Sequence, residues 1–289
     1  MKQPFAIASP VRQEANYLLE WIAYHRSLGI RLFLLGDNGG DDGTSELLQE
    51  LDRLRLIRRL PWLNQQYFQL NFCHHVLQLT QGLIEGLFFI DVDEFLRPSN
   101  PNSLVSEIAE EWLAAEAIGA VAINWAVYGS SGHEQITEGL VIERFKNRAD
   151  REFSVNKHVK SFVKVDRCRG MAGNPHAVRL DAGRYVDTMG NDITWDITSG
   201  HNQGISEQVI WGSMRVDHYV LKSKAEFALK CARGDVISPV TERARKTPAY
   251  FTSHDRNEVF DPMPEVLVHR TKAEMKKIAE IRISQRRPI

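Results

Sequence analysis

Between positions 5 and 95 the apolar residues switch repeatedly between the two-residue period of a strand and the roughly 3.6-residue period of a helix, and this restricts the architecture more than any other property of the chain. Phe5-Ala6-Ile7-Ala8-Ser9 reads as a strand, and Tyr17, Leu18, Trp21, Ile22 and Leu28 follow at helical spacing. Leu32-Phe33-Leu34-Leu35 is a second apolar run, closed by the turn sequence Gly36-Asp37-Asn38-Gly39-Gly40; Asp42 then caps a helix carrying Leu47, Leu48 and Leu51. A third strand is expected over 54–60, a helix over 66–83 and a fourth strand at Leu87-Phe88-Phe89-Ile90. Serial β-α units predict an α/β fold: a mainly parallel sheet flanked by helices, with ligands beyond the carboxyl ends of the strands.

Further on, Leu104, Ile108 and Trp112 mark a helix and Ala120 to Trp125 a strand. From 129 to 215 the alternation degrades into short β-like pieces, such as 159–165, among Gly, Asn and Asp, the pattern of loops and hairpins. Helices return over 223–233 and, with a basic character, over 271–287. No repeat or low-complexity linker divides the chain, so 1–289 is read as one domain.

A chain of 289 residues that is 43% hydrophobic and 25% charged buries a substantial core. Its 36 Lys and Arg balance 37 Asp and Glu, which gives no overall field for nucleic acid; an anion site must be local. Cys73, Cys168 and Cys231 are far apart and form no CxxC pair, so a cytoplasmic protein without disulfides or a cysteine zinc site is expected. Met1 to Phe5 contain no signal-like core, and no run approaches the ~18 to 20 apolar residues of a membrane span.

The chemistry concentrates in Phe88-Phe89-Ile90-Asp91-Val92-Asp93-Glu94-Phe95, where a buried strand ends in two carboxylates two positions apart. If the backbone stays extended, Asp91 and Asp93 point to one side and jointly approach a divalent ion. Hard oxygen ligands favour Mg2+ or Mn2+. A haloacid-dehalogenase-like phosphatase also places apolar residues before such a motif, but Phe95 and the two preceding β-α units argue against it. A non-catalytic sugar-nucleotide-binding protein is the other alternative. His74 and His75 carry no metal claim, because adjacent helix positions diverge by ~100°.

Several blocks in order resemble the GT-A fold glycosyltransferases of the family-two-like group, and most of all those of the family ninety-two type. They are Val11-Arg12-Gln13-Glu14 with Leu19-Glu20-Trp21 and His25, Asp37-Asn38 with Asp41-Asp42-Gly43-Thr44, and Asp91-Val92-Asp93-Glu94-Phe95. Asn124-Trp125, Gly129 to His133, Glu143-Arg144-Phe145 and His218-Tyr219 with Lys222-Ser223 and Phe227 extend the match. Gln13 stands where Asn is usual, and Gly40 where Ser is common.

The resemblance implies a Rossmann-like GT-A sheet, with a nucleotide-sugar half over about 1–126, an irregular acceptor side over about 127–235 and a C-terminal extension over 236–289. It implies transfer, with inversion, of a sugar from a nucleotide-diphosphate donor, UDP favoured over GDP, to a carbohydrate or lipid-linked glycan hydroxyl. Arg12, Glu14, Asp37, Asn38 and Lys222 would hold the donor, although Asp37 also reads as a turn former. Asp91, Asp93 and His218 would hold Mn2+ or Mg2+, and Lys222, Lys230 and Arg233 offer charge to the diphosphate. Glu143 or His176 would receive the acceptor proton. Trp125 is the favoured aromatic for stacking on a sugar. The basic segment with Lys276, Lys277, Arg282, Arg286 and Arg287 reads either as a solvated helix face or as a peripheral contact with anionic lipid on the inner face of the membrane.

Overall fold

The computed structural model describes residues 3–63, 68–199, 203–232 and 247–284. The alternation expected at the start of the chain is present as β1 (Gln3–Val11), α1 (Ala15–Ser27), β2 (Phe33–Asp37), α2 (Thr44–Arg53), β3 (Arg58–Pro61), α3 (Phe68–Thr80) and β4 (Ile84–Phe89). β1 pairs in parallel with both β2 and β4, and β2 with β3. β5 (Glu94–Pro98), α4 (Val105–Ala114) and β6 (Ile118–Val127) follow.

Strand periodicity assigns the core to two faces. Phe5 and Ile7 of β1, Phe33 and Leu35 of β2 and Phe88 of β4 enter one cluster with Trp21 of α1 and Trp112 of α4. Ala6, Ala8, Leu34, Leu87 and Phe89 enter a second, with Phe72, Val76 and Leu77 of α3. Gly36 permits that second layer to close, because a Cβ there would lie 2.5 Å from the Phe72 ring.

The remaining elements are α5 (Val141–Arg144), β7 (Asn147–Arg148), β8 (Val159–Lys164), β9 (Cys168–Met171), β10 (Val178–Leu180), β11 (Arg184–Val186), β12 (Met214–His218), α6 (Lys224–Ala232), α7 (Pro248–His254), β13 (Val259–Phe260) and α8 (Glu265–Ser284). The main sheet runs β3-β2-β1-β4-β8-β6-β12-β5, with β11 beside β6. β8 is antiparallel to β4 and β6, and β5 is antiparallel to β12.

The β-like piece expected at 159–165 is present as β8, but it lies in the middle of the sheet instead of in a peripheral hairpin, and β12 adds a further strand of the main sheet. All six β8 residues are buried, although Lys160, Ser161 and Lys164 are polar, so the sequence does not mark it as a central strand. Because β8 is antiparallel, its first residues lie at the same edge as the carboxyl ends of β4 and β6.

Among the described residues no helix is long and apolar enough to cross a membrane. The basic C-terminal helix α8 packs on α1, with Glu274 accepting from Arg26 at 2.8 Å. Arg282 pairs with Glu50 at 2.7 Å and Lys277 with Glu274 at 3.1 Å, while Lys276 is exposed; Arg286 and Arg287 lie outside the described residues.

Candidate functional site

Functional side chains gather where β1, β4, β6 and β12 end. Asp91 and Asp93 follow β4 in a turn rather than in extended backbone, which removes the premise that both carboxylates point to one side. The turn is closed twice: Glu94 N–H donates to Asp91 O at 3.1 Å, and the Glu94 carboxylate accepts from Asp91 N–H at 2.8 Å. The two acids consequently meet different partners. Asp91, its side chain 30% exposed, accepts from Gln69 Nε2 at 2.6 Å and from Lys160 Nζ at 2.9 Å.

Asp93 accepts from Lys230 Nζ at 2.5 Å through Oδ2, and its Oδ1 lies 3.7 Å from His218 Nε2. Burial by itself raises the Asp93 pKa, but Lys230, the His218 ring and Lys222 hold it well below the usual carboxylate range. Glu94, fully enclosed, moves the other way: burial raises its pKa well above normal, against the pull of Lys160 3.6 Å away.

His218 ends β12, in register with Glu94 of β5 and Val127 of β6. Its ring packs 4.2 Å from Trp125, and its buried Nδ1 has no hydrogen-bond partner among the described residues. Burial lowers its pKa below the usual imidazole value, against the pull of Asp93. Trp125 is only 8% exposed, with His158 stacked on it at 4.9 Å and His218 against it; it is a wedge between histidines and offers no sugar platform, contrary to expectation.

Beside Asp93 opens a cleft of about 410 Å3 lined by Gln13, Glu14, Tyr17, Lys222, Glu226 and Lys230 among others. Lys222 is buried in left-handed backbone (φ 58°), with its ammonium 4.2 Å over the Tyr17 ring. Gln13, which also lines the cleft, is left-handed too (φ 52°), so two of its non-glycine lining residues carry strained backbone. Glu226 fastens the cleft together. It accepts two bonds from Arg144, at 2.8 and 3.0 Å, one from Tyr17 Oη at 2.9 Å and two from Ser223, and its pKa falls to about 2 because these partners outweigh burial.

The structure brings some of the sequence-derived candidates together and separates others. Glu14 and Lys222 line the cleft, and Arg12 stands one residue past β1. Asn38 ties the loop after β2 to Val11 O. Asp37 is fully buried, its oxygens accepting from Gly39 N–H at 2.9 Å, Ser45 Oγ at 2.8 Å and Arg59 Nε at 2.6 Å, the bonding of a turn former.

His176 belongs to the ring cluster around Trp125, its ring 5.3 Å from Trp125 and 5.5 Å from His158. Its Nδ1–H donates to Val159 O at 3.0 Å, which leaves Nε2 as the lone-pair nitrogen, and burial together with Lys160 pushes its pKa well below normal. Glu143 is not part of this group: its neighbour Arg144 points inward to Glu226, while Glu143 turns out to Lys272 of α8 at 2.5 Å. Arg233 lies outside the described residues.

Gln69, Lys160 and Glu226 were not singled out in the sequence. Ser223-Lys224-Ala225-Glu226 has the spacing of a capping box, which the structure bears out, and would have flagged Glu226. Nothing local marks Gln69 or Lys160.

Among the described residues no cluster of three or more His, Cys, Asp or Glu side chains is placed to hold a metal ion. Asp93 Oδ1 and His218 Nε2 do converge as a pair. Hard divalent cations need only one or two protein groups when substrate phosphates and water complete the shell, so this pair fits Mg2+ or Mn2+. Asp91 is already taken up by Gln69 and Lys160.

A mainly parallel sheet with carboxylates, a histidine and lysines gathered at the carboxyl edge defines the class of α/β proteins whose site sits at the strand ends. Residues 8–174, more than half of the sequence, match the model of Glycosyltransferase family 92, and the chain belongs to that family. A glycosyltransferase family 92 protein of Oryza sativa subsp. japonica is 31% identical over 163 residues, 55% of this chain and 26% of that protein. One of Ricinus communis is 25% identical over 140 residues, 47% of this chain and 25% of its own length. The matched part thus spans about a quarter of these relatives. Among solved structures, S. aureus TarS 1-349 in complex with UDP is similar with a TM-score of 0.35 and 13% identity, covering 57% of this chain and 47% of that one.

Proposed function

We propose that this protein transfers a sugar from a nucleotide-diphosphate donor, UDP favoured over GDP, to a carbohydrate or lipid-linked hydroxyl, with inversion at the anomeric carbon. The reading is carried by the Asp93–His218 pair, joined through Lys230 to a lysine-lined cleft, in a chain of family 92. The donor lies in the cleft: Arg12, Glu14 and Asn38 face its nucleoside, over a turn held by Asp37, and Lys222 neutralises the diphosphate. Asp93 and His218 hold Mn2+ or Mg2+, which when bound offsets the charge that grows on the leaving diphosphate. Asp91, fixed by Gln69 and Lys160, orients the donor. His176 Nε2 takes the proton of the attacking hydroxyl.

Free Cys73 and Cys168, both buried, suit a cytoplasmic setting. Exposed Lys276 leaves room for a peripheral contact with anionic lipid, consistent with a lipid-linked acceptor. Nothing at the site favours a phosphatase, because both oxygens of Asp91, the required nucleophile, already accept hydrogen bonds.

Calorimetric titration of UDP and GDP into the wild type and Asp93→Asn, with Mn2+ present and then chelated, tests the reading. Metal-dependent binding of one nucleotide, lost in Asp93→Asn, supports it. Binding of neither nucleotide under any condition sinks it, and binding without transfer to any glycan returns the non-catalytic alternative.

A further inference from the structure

The lysines that meet the strand-end acids are placed very differently. Lys160 comes from the middle of the sheet, is 1% exposed, and is fixed between Asp91 and Glu94. Lys230 comes from the last turn of α6 and lines the donor cleft, where its ammonium donates to Asp93 Oδ2 at 2.5 Å and to Val220 O at 2.9 Å. It therefore occupies one oxygen of the carboxylate whose other oxygen faces His218. A divalent ion on Asp93 would meet an ammonium within a few ångströms, and its repulsion is twice that between single charges. A diphosphate relieves this clash, because its oxygens accept from an ammonium and its charge balances the added cation.

We infer that Lys230 is the resident counter-ion of Asp93, and that it passes from the carboxylate to the donor's diphosphate as the donor arrives with its cation. Lys230 is thus a positioning residue that makes the centre take up the ion and the donor together. The lysine stem has four rotatable bonds, so the ammonium moves from Oδ2 into the adjoining cleft without displacing α6. The inference rests on the donor and metal reading above and adds an order to it: free cation binds poorly, and cation and nucleotide each strengthen the other's binding.

The test is Mn2+ affinity, read from the paramagnetic resonance signal of free Mn2+, for the wild type, Lys230→Met and Asp93→Asn, each with and without UDP. Lys230→Met is expected to bind Mn2+ alone at least about tenfold more tightly than the wild type, because a repelling charge is gone. The enhancement by UDP should shrink in the same variant. Unchanged or weaker Mn2+ binding by Lys230→Met, while the wild type still takes up Mn2+ with UDP through Asp93, overturns the inference and leaves the metal reading standing. No Asp93-dependent uptake even with UDP sinks both.

Should Lys230→Met fail to fold, 15N-lysine spectra of the wild type decide the matter, with Lys230 assigned through Lys230→Arg. Mg2+ with UDP should move the Lys230 resonance, and Mg2+ alone should not. An equal shift with Mg2+ alone, or none with both, overturns it.

Discussion

Lys160 Nζ lies 2.9 Å from Asp91 Oδ2, joining two residues 69 positions apart, and 3.6 Å from Glu94 in a fully buried setting. Glu94 Oε1 has no hydrogen-bond partner among the described residues, so this ammonium is the main compensation for the enclosed acid. Replacing Lys160 by Met takes the ammonium from Asp91 and should destabilise the fold by about 1–3 kcal/mol in urea unfolding, the cost of a lost charge-assisted hydrogen bond. Adding Asp91→Asn should return part of it; no recovery would show that the loss comes from packing.

Glu226 joins Arg144, Tyr17 and the start of α6. Glu226→Ala should raise KM for the donor more than it lowers kcat, since it loosens the cleft wall without touching Asp93. Steady-state kinetics with varied donor separate the two effects, and a pure kcat loss would contradict this assignment.

Asp37 uses its carboxylate inside the protein. Asp37→Asn should cost about 1–3 kcal/mol by weakening charge-assisted hydrogen bonds, while the folded variant binds nucleotide with unchanged Kd. A markedly weaker Kd at full folding would place the carboxylate on the donor.

The two proton-acceptor candidates separate cleanly. Glu143→Gln should transfer sugar at near the wild-type rate, whereas His176→Ala should lose about 100- to 10,000-fold, the range of general base catalysis. The reverse ranking would move the base to α5.

Glu20 is buried on α1, accepts from Val141 N–H at 2.8 Å and Ile142 N–H at 3.1 Å, and has its pKa pushed up by burial from 4.5 to about 7. The folded state therefore binds this proton more tightly than the unfolded chain does. Its contribution to stability is fully present below pH 4.5 and is lost as pH rises through about 7. The loss is on the order of 3 kcal/mol for a shift of this size. Glu20→Gln, which removes the titrating group and keeps one of its two acceptor oxygens, should flatten that part of the stability profile between pH 5 and 8 in thermal melts. A profile as steep as that of the wild type would assign the dependence to other groups.

Local sequence determined the first half of the sheet, the helices between its strands and the acids at the end of β4. Each of these follows from short-range periodicity, because a strand or helix with a buried face must place its apolar residues at a fixed spacing. The Asp91–Val92–Asp93 segment was legible because it interrupts an apolar strand at its end, whereas His218, at the end of a strand that also carries Arg215 and Asp217, was marked only by the family resemblance of the block around it. Tertiary structure alone decided the rest. It inserted β8 between β4 and β6, carrying Lys160 to Asp91, and it gave each strand-end acid its own lysine. It also turned Glu143 away from the site while bringing His176 near it, and it enclosed Asp37. Buried Lys160 is accommodated because Asp91 and Glu94 meet it, and no local pattern in a chain records which distant partners a buried lysine will find.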